Sequence, residues 1–297
     1  MNCLNPLRIA NPKTREILYD VRRKYRRSPE EVYEKIVRSK YPLVDPFVDV
    51  PCGKCEACLV RKTNEWTFRL LQERKHSESA LFMTITYHDG ALPIDKKTGY
   101  PTLSKRDCQL FLMKIRKRFG PGIRYFLCSE YGEKYGRPHY HMLLFNFPID
   151  YSSPTWDSDL ETLFMEMWNK GDIQVSEAVD GRVVYCAKYM LQTLDMDDYL
   201  ERKKPFILCS RMPGIGMQFV ENRSISDYYR STCDTKCVSD VGIAYPMPRY
   251  YKDKLFDDDM KYVIKKRLEK TFKEPTEHEK IAYKNKIRRN FKKQHKL

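Results

Sequence analysis

The segment GRPHYHMLLF, residues 136 to 145, places two of the chain's six histidines one residue apart at the start of an apolar run. If this run forms a β-strand, successive side chains point to opposite faces, so His139 and His141 share one face. Two imidazoles on one face converge on one point, as two ligands of a divalent metal ion would. Any further ligand has to come from another part of the chain.

The strand that precedes this run supplies a candidate for the third ligand. Residues 123–130, IRYFLCSE, are typical of a strand, and the turn-rich YGEKYGRP joins the two runs into a β-hairpin. A turn centred between Lys134 and Tyr135 places Glu130 directly opposite His139, and cross-strand partners share a face. Two imidazoles and one carboxylate with open positions suit catalytic Mg²⁺ or Mn²⁺. The pattern is equally compatible with Glu130 as an ordinary acid at a strand end.

A later helix carries groups that suit phosphodiester chemistry. The segment VVYCAKYMLQ, residues 183–192, contains Tyr185, Lys188 and Tyr189. Residues four apart lie on one helical face, so the two phenols stack one turn apart with Lys188 beside them. A phenol, with its usual pKa of about 10, attacks a phosphodiester when a metal has partly neutralised the phosphate. In a chain with 21 tyrosines, such a helix is also compatible with ordinary packing.

The elements that must position these residues follow a definite order. Strands are predicted at 81–87, 123–130, 139–147 and 171–179, and helices at 59–79, 104–120, 157–171 and 182–193. From residue 81 the order is β-α-β-β-α-β-α, which fits a split βαβ arrangement with an antiparallel sheet. The fold class is therefore α+β, with helices packed against the sheet. Residues 1–50 are rich in Pro and Arg without steady periodicity and are expected to form an extended segment.

Three cysteines, Cys52, Cys55 and Cys58, are spaced three residues apart next to a predicted helix start. Metal sites use the same spacing, and Cys3 would complete a four-thiol structural zinc site. Because this fourth ligand is remote in sequence, the pattern is also compatible with reduced thiols that hold no metal. Ten cysteines without the apolar core of a signal peptide favour free thiols or a metal site over disulfides.

The net charge is strongly positive and unevenly placed. Lys and Arg number 55 against 40 Asp and Glu, a formal charge of +15, which favours a polyanionic partner. Residues 261–297 hold 14 Lys or Arg against four Glu, and form either a solvated helical tail or a nucleic-acid contact. No window approaches the roughly 18 consecutive apolar residues of a membrane span. The sequence therefore predicts a soluble protein without a membrane partner.

Together these motifs resemble those of a known family. In this order, FMTITY, HYHMLLF and YCAKY resemble the three motifs of the HUH endonucleases, which nick single-stranded DNA and become linked to its 5′ end through a tyrosine. The segments PCGKCEACLVRKTNEW, SEYGEKYGRPHYHMLLF and SRMPGIG resemble the replication initiators of microvirus phages, especially the gokushovirus branch. The likeness spans roughly residues 1 to 220.

The resemblance implies a role for each candidate residue. It implies two metal-ligating histidines, an acidic third ligand, two nucleophilic tyrosines and a lysine that orients the phosphate or a phenol, which are His139, His141, Glu130, Tyr185, Tyr189 and Lys188. In the two-tyrosine branch, one tyrosine opens the origin and the other resolves the strand after a round of rolling-circle synthesis. By the same likeness, the loop with Arg211, Gly214 and Gly216 contacts DNA, although its chemistry alone indicates only a turn.

The resemblance also implies partners and a division of the chain. The substrate is single-stranded DNA at a replication origin, the freed 3′-hydroxyl primes a host polymerase, and a host helicase is expected to assist in the bacterial cytoplasm. Residues 1–80 are expected to form an N-terminal segment with the cysteine cluster and a helix, 81–220 the HUH endonuclease core, and 221–297 a basic C-terminal extension.

Two other interpretations remain compatible with the sequence. A plasmid-type initiator, relaxase or transposase uses the same chemistry, although the cysteine-rich N-terminus and the GIG loop favour the phage type. A non-catalytic, zinc-dependent DNA-binding protein is the alternative from another class. Only the enzyme becomes covalently attached to DNA, so an adduct separates the two classes.

Overall fold

The computed structural model describes residues 3–25, 28–132, 135–188, 202–271 and 276–295, with side chains as far as residue 289. The nine strands in these ranges are β1 (Leu7–Ala10), β2 (Phe47–Val50), β3 (Ala80–Ile85), β4 (Arg124–Tyr131), β5 (Pro138–Phe145), β6 (Ile173–Glu177), β7 (Ile207–Cys209), β8 (Lys236–Val238) and β9 (Ala244–Pro246). The eleven α-helices there are α1 (Arg15–Lys24), α2 (Pro29–Lys40), α3 (Glu56–Lys75), α4 (Lys105–Phe119), α5 (Trp156–Trp168), α6 (Asp180–Lys188), α7 (Gln218–Glu221), α8 (Arg223–Thr232), α9 (Arg249–Leu255), α10 (Asp258–Thr271) and α11 (Glu277–His295). No helix within the described ranges has the length and apolar character needed to cross a membrane.

The chain divides into two compact units, one formed by residues 1–59 and 277–297 and the other by residues 60–276. The smaller unit thus combines the first and the last part of the sequence. The basic tail is helical in its described part, since α10 and α11 occupy most of residues 258–295. The boundaries at residues 80 and 220 expected from the sequence stay a prediction about separately folding parts.

The smaller unit has regular structure where the sequence indicated an extended segment. Strand β1 pairs antiparallel with β2, which places Leu7 opposite Val50. Helices α1 and α2 pack through buried apolar residues at helical spacing, which are Leu18, Val21, Tyr33 and Val37. The prediction for residues 1–50 was therefore wrong. Each of these short helices buries only two residues among many charges, so its periodicity is weak in the sequence.

One antiparallel sheet organises the larger unit, with its five strands in the order β6-β3-β5-β4-β7. Along the chain the elements run β3-α4-β4-β5-α5-β6-α6, which confirms the predicted order. Helix α4 begins as predicted, because the Ser104 hydroxyl accepts a hydrogen bond from the Asp107 N–H at 3.3 Å. It ends at Gly120, whose φ of 97° suits glycine.

The central strand β5 is buried on both faces, so its side chains divide between two cores. Met142 and Leu144 point into the core formed with α4 and α5. Leu143 points to the other face, where it packs in a core with Leu70 of α3 and Val183 of α6. Because side chains alternate along a strand, the two histidines of β5 share the face of Leu143. They therefore lie on the face that α3 and α6 cover.

Candidate active site

The hairpin of β4 and β5 brings both histidines and the predicted acid together. Glu130 lies opposite His139, and Cys128 opposite His141, which confirms the predicted register. His139 Nε2 is 3.5 Å from Glu130 Oε1, and His141 Nε2 is 3.4 Å from Glu130 Oε2. The three ligand atoms lie within 4.8 Å of one another. These three residues are called the triad below.

Hydrogen bonds to the far side of each ring hold the two imidazoles in place. The Nδ1 atom of His139 lies 3.2 Å from the carbonyl oxygen of Arg137. Since a carbonyl only accepts, Nδ1 carries the proton and Nε2 presents its lone pair towards Glu130. The Nδ1 atom of His141 lies 3.3 Å from the hydroxyl oxygen of Thr84 on β3. Such outer contacts fix the orientation of metal-ligating histidines.

Burial and mutual contact shift the pKa values of the triad. Burial alone would raise the pKa of Glu130, but hydrogen bonds and charges from His139 and His141 lower it to about 2. Burial lowers the pKa of His139, yet the contact with Glu130 outweighs it and the net shift is upward. For His141 burial prevails and the pKa falls. The site thus holds a carboxylate that stays ionised and one imidazole that is easily kept neutral.

The triad fits a divalent cation. Its donors are two imidazole nitrogens and one carboxylate oxygen, which converge from adjacent strands and are mostly withdrawn from water. Three protein ligands leave positions open for water or a phosphate oxygen, as catalytic metal sites require. Nitrogen donors suit Mn²⁺ better than Mg²⁺, which prefers oxygen. A cation competes with a proton for His139, because only the neutral imidazole binds metal.

Tyr185 is the phenol that the structure places beside the triad. It lies on α6, and its ring centroid is 5.8 Å from that of His141 and 6.2 Å from that of Phe82. The side chain is 38% exposed, so solvent and substrate have access to it. Lys188 is the last described residue of this helix. Tyr189 lies outside the described residues.

Two side chains of the site were not predicted, although both belong to the FMTITY segment. Thr84 contacts His141 as described above, and the Phe82 ring stacks on the His141 imidazole at 5.7 Å with an interplanar angle of 14°. Alternation along β3 puts both on one face. The signal available in the sequence was this alternation. It identifies neighbours of the triad only when the β3-β5 register, with Thr84 opposite His141, is known.

The four predicted cysteines also converge. The Sγ–Sγ distances are 3.6 Å for Cys3–Cys52, 3.7 Å for Cys3–Cys55 and 4.0 Å for Cys52–Cys58. A regular tetrahedron with a Zn–S distance of about 2.3 Å has S–S edges of about 3.8 Å. The cluster therefore has the dimensions of a four-thiolate zinc site. Tyr283 and Ile287 of α11 pack against it.

The thiols differ in acidity. Burial by itself raises the pKa of Cys52, but backbone N–H donors of Lys54 and Cys55 stabilise the thiolate and bring it down to about 6. Burial raises the pKa of Cys58 to about 12. Metal binding requires all ligating thiols to be deprotonated. Cys52 is thus the thiol most ready to bind a metal first.

The loop predicted to contact DNA is placed at the other end of β4. Gly214 and Gly216 are buried, and Arg211 is exposed. A Cβ atom on Gly214 would lie 2.6 Å from Tyr250 Oη, and one on Gly216 would lie 2.6 Å from the carbonyl oxygen of Arg69. Close packing therefore accounts for both glycines. Of the three predicted residues, Arg211 is the one whose side chain faces solvent.

Comparison with known proteins identifies related sequences. The profile of the family described as replication-associated protein ORF2 matches residues 80–194. The chain is 30% identical over 265 residues to the replication-associated protein ORF2 of Spiroplasma virus 4, covering 84% of this chain and 79% of that protein. It is 25% identical over 272 residues to the replication-associated protein VP4 of Bdellovibrio phage phiMH2K, covering 85% of this chain and 76% of that one. The replication-associated protein ORF4 of Chlamydia phage 1 is 25% identical over 264 residues, with 80% and 61% covered.

A solved structure with partial likeness is the N-terminal nuclease domain of non-structural protein 1 of minute virus of mice. It covers 70% of this chain and 97% of its own, at 8% identity and a TM-score of 0.21. That score is too low to assign a shared fold. The family rests instead on the Spiroplasma virus 4 protein, which matches over most of both chains. The chain belongs to the replication-associated protein ORF2 family of microvirus-like single-stranded DNA phages.

Proposed function

We propose that this protein nicks and rejoins single-stranded DNA at a replication origin, as a rolling-circle initiator of the HUH endonuclease type. The observation that carries the proposal is the convergence of the triad with Tyr185 on one face of the sheet. The β-α-β-β-α-β-α order on an antiparallel sheet supports the HUH fold. Replication-associated relatives in three phages support an origin as the substrate.

The proposed reaction is a transesterification. His139, His141 and Glu130 hold Mg²⁺ or Mn²⁺, which supplies positive charge that polarises the scissile phosphate and stabilises the departing oxygen. The phenol oxygen of Tyr185 forms a bond to phosphorus, the bond from phosphorus to the 3′-oxygen breaks, and the phenolic proton passes to that oxygen by way of solvent. The products are a 5′-phosphotyrosine and a free 3′-hydroxyl. The bond formed replaces one of similar energy, so rejoining needs no ATP.

The second phenol completes the cycle in this proposal. Tyr189, one helical turn after Tyr185 in sequence, takes over the growing strand while Tyr185 still holds the first 5′ end. Lys188 orients the phosphate or a phenol through its positive charge. The free 3′-hydroxyl primes a host polymerase, with a host helicase opening the duplex. These steps place the protein in the bacterial cytoplasm.

The experiment that tests the proposal looks for a covalent protein–DNA product. Purified protein is mixed with a library of single-stranded oligonucleotides that represent the phage genome, in the presence of Mn²⁺. We expect a denaturation-resistant adduct with one subset of sequences, together with a shortened strand that ends in a 3′-hydroxyl. A protein that binds these oligonucleotides without forming an adduct would instead be the non-catalytic DNA-binding protein.

Replacing Glu130 by alanine is expected to raise the metal concentration needed for half-maximal nicking about tenfold or more, because one of three ligands is lost. Nicking is measured at increasing Mn²⁺ concentrations. Glu166→Ala, which removes an exposed carboxylate from α5, serves as the matched control. An unchanged metal requirement in Glu130→Ala would remove this residue from the ligand set.

We also propose that the cysteine cluster holds one structural zinc ion. Freshly purified protein is expected to contain about one zinc per chain by elemental analysis, and the double variant Cys52→Ser, Cys55→Ser to contain none and to be less soluble or less stable. Cys209→Ser, in the other compact unit, should keep the metal. Absence of zinc from unchelated wild-type protein would show that the four thiols serve without metal.

A further inference from the structure

A loop after β7 presents an exposed tip of unusual composition. Arg211, Met212 and Pro213, called the loop tip here, are all exposed, whereas the three residues that follow are buried. The Met212 side chain is 95% exposed. A fully exposed methionine at the end of a loop gains nothing for stability, since its apolar surface stays in water. The surroundings of the tip therefore have to explain it.

Buried charges hold the base of this loop. Glu73 of α3 is fully buried and forms an ion pair with Arg124 at the start of β4. The Glu73 Oε2 atom accepts a hydrogen bond from the Gly216 N–H at 2.6 Å. Arg124 donates to the carbonyl oxygens of Pro213 and Gly214 at 2.9 and 3.0 Å. Burying an ion pair is costly, so a pair spent on loop carbonyls and an N–H points to a demand for fixed geometry.

A second arginine fixes the same segment from the other side. Arg69 donates from Nε to the carbonyl oxygen of Ile215 at 3.0 Å. Its guanidinium lies between the rings of Trp66 and Tyr250, at 4.3 and 4.2 Å from their centroids. Tyr250 in turn accepts a hydrogen bond from the Gly214 N–H at 3.1 Å. The tip is thus carried on a base whose carbonyls and N–H groups are held by fixed side chains.

The surroundings of the tip are positively charged. Arg116 donates to the Ser210 hydroxyl at 3.2 Å, directly before the tip. With Arg69, Arg124 and Arg211 this makes four guanidinium groups around the loop, against the single carboxylate of Glu73 named above. A net positive environment attracts a polyanion. Among polyanions, DNA offers apolar base stacks that suit an exposed methionine.

The position of the loop relative to the triad sets a distance. Arg124 and Glu130 lie on the same strand six residues apart, and even-numbered residues of β4 share one face. At about 3.3 Å per residue, the loop base is about 20 Å from the triad. Stacked bases rise about 3.4 Å each, so this distance corresponds to about six base steps.

We propose that Met212 inserts between two stacked bases of the bound DNA, about six base steps from the phosphate at the triad, with Arg211 pairing with the backbone beside it. The inference rests on the proposed function and adds to it a second contact point. Met and Pro are among the residues that wedge apart base steps, and a wedge needs a rigid mounting to unstack bases rather than bend away. The buried Glu73–Arg124 pair supplies that mounting.

The test uses the full-length protein and a DNA hairpin with a stem of about 12 base pairs and a single-stranded arm, in which 2-aminopurine replaces one base at a time. Unstacking raises 2-aminopurine fluorescence. We expect wild type to raise it at one stem position, and Met212→Ala to lose about four fifths of that rise and to bind roughly fivefold more weakly. Met113→Ala, which removes a 58% exposed methionine from α4, is the control and should behave as wild type.

The outcomes separate this inference from the proposed function. Because Met212 is almost fully exposed, Met212→Ala should unfold at the wild-type temperature, and its adduct formation with unpaired oligonucleotides should be unchanged. If wild type forms the adduct but raises fluorescence at no position, or if Met212→Ala keeps the full rise, the wedge is wrong and the nicking proposal stands. If wild type neither binds nor forms an adduct with any oligonucleotide, both are wrong.

Discussion

Replacing either His139 or His141 by alanine is expected to reduce nicking by about a hundredfold or more, because each supplies one of the two nitrogen ligands of the triad. Binding of the same oligonucleotide should stay within about twofold of wild type, since affinity for DNA comes chiefly from Lys and Arg. The measurement is the initial rate of adduct formation at saturating Mn²⁺, together with a binding isotherm in EDTA.

A third histidine provides the control for these variants. His88 is exposed in the short turn after β3, so His88→Ala should nick at the wild-type rate. His141 is only 6% exposed, and its removal leaves a cavity, so the unfolding temperature of each variant is measured as well. Full cleavage by wild-type protein in EDTA would show that the triad holds no catalytic metal.

The register of the triad was predictable because two local rules determine it. The period of two along a strand puts His139 and His141 on one face, and the turn residues between the strands fix which residue of β4 faces which residue of β5. Both rules depend only on residues 123–147. The position of Glu130 opposite His139 therefore followed from the sequence and is confirmed.

The contacts of the loop tip were not predictable, because their partners are remote in sequence. Gly214 and Gly216 were noted for a turn and for a resemblance to DNA-contacting loops, whereas the structure packs them against Tyr250 and Arg69. These partners are 36 residues after Gly214 and 147 residues before Gly216. No local pattern encodes such a contact. The convergence of Cys3 on Cys52 and Cys55 is equally long-range, and only the chemistry of thiols made it a hypothesis.

The helix of the two phenols gives the second large effect. In the proposed cycle one phenol must be free while the other holds DNA, so each single variant, Tyr185→Phe or Tyr189→Phe, should still cleave a short oligonucleotide but fail to release a closed circle from a longer template. The change to phenylalanine keeps the ring that packs beside His141 and Phe82 and removes only the nucleophilic oxygen. Cleavage and circle release are followed on the same labelled template.

The double variant Tyr185→Phe, Tyr189→Phe should form no adduct at all, because both phenols proposed to reach the phosphate have then lost their nucleophilic oxygen. Tyr228→Phe, a 52% exposed tyrosine on α8, is the matched control and should give adduct at the wild-type rate. Mass spectrometry of digested reaction products locates any attached nucleotide. A nucleotide-bearing peptide from the double variant would place the nucleophile elsewhere, whereas an adduct confined to the peptide with Tyr185 in the Tyr189→Phe variant, and the reverse in its counterpart, would show that either phenol reaches the phosphate.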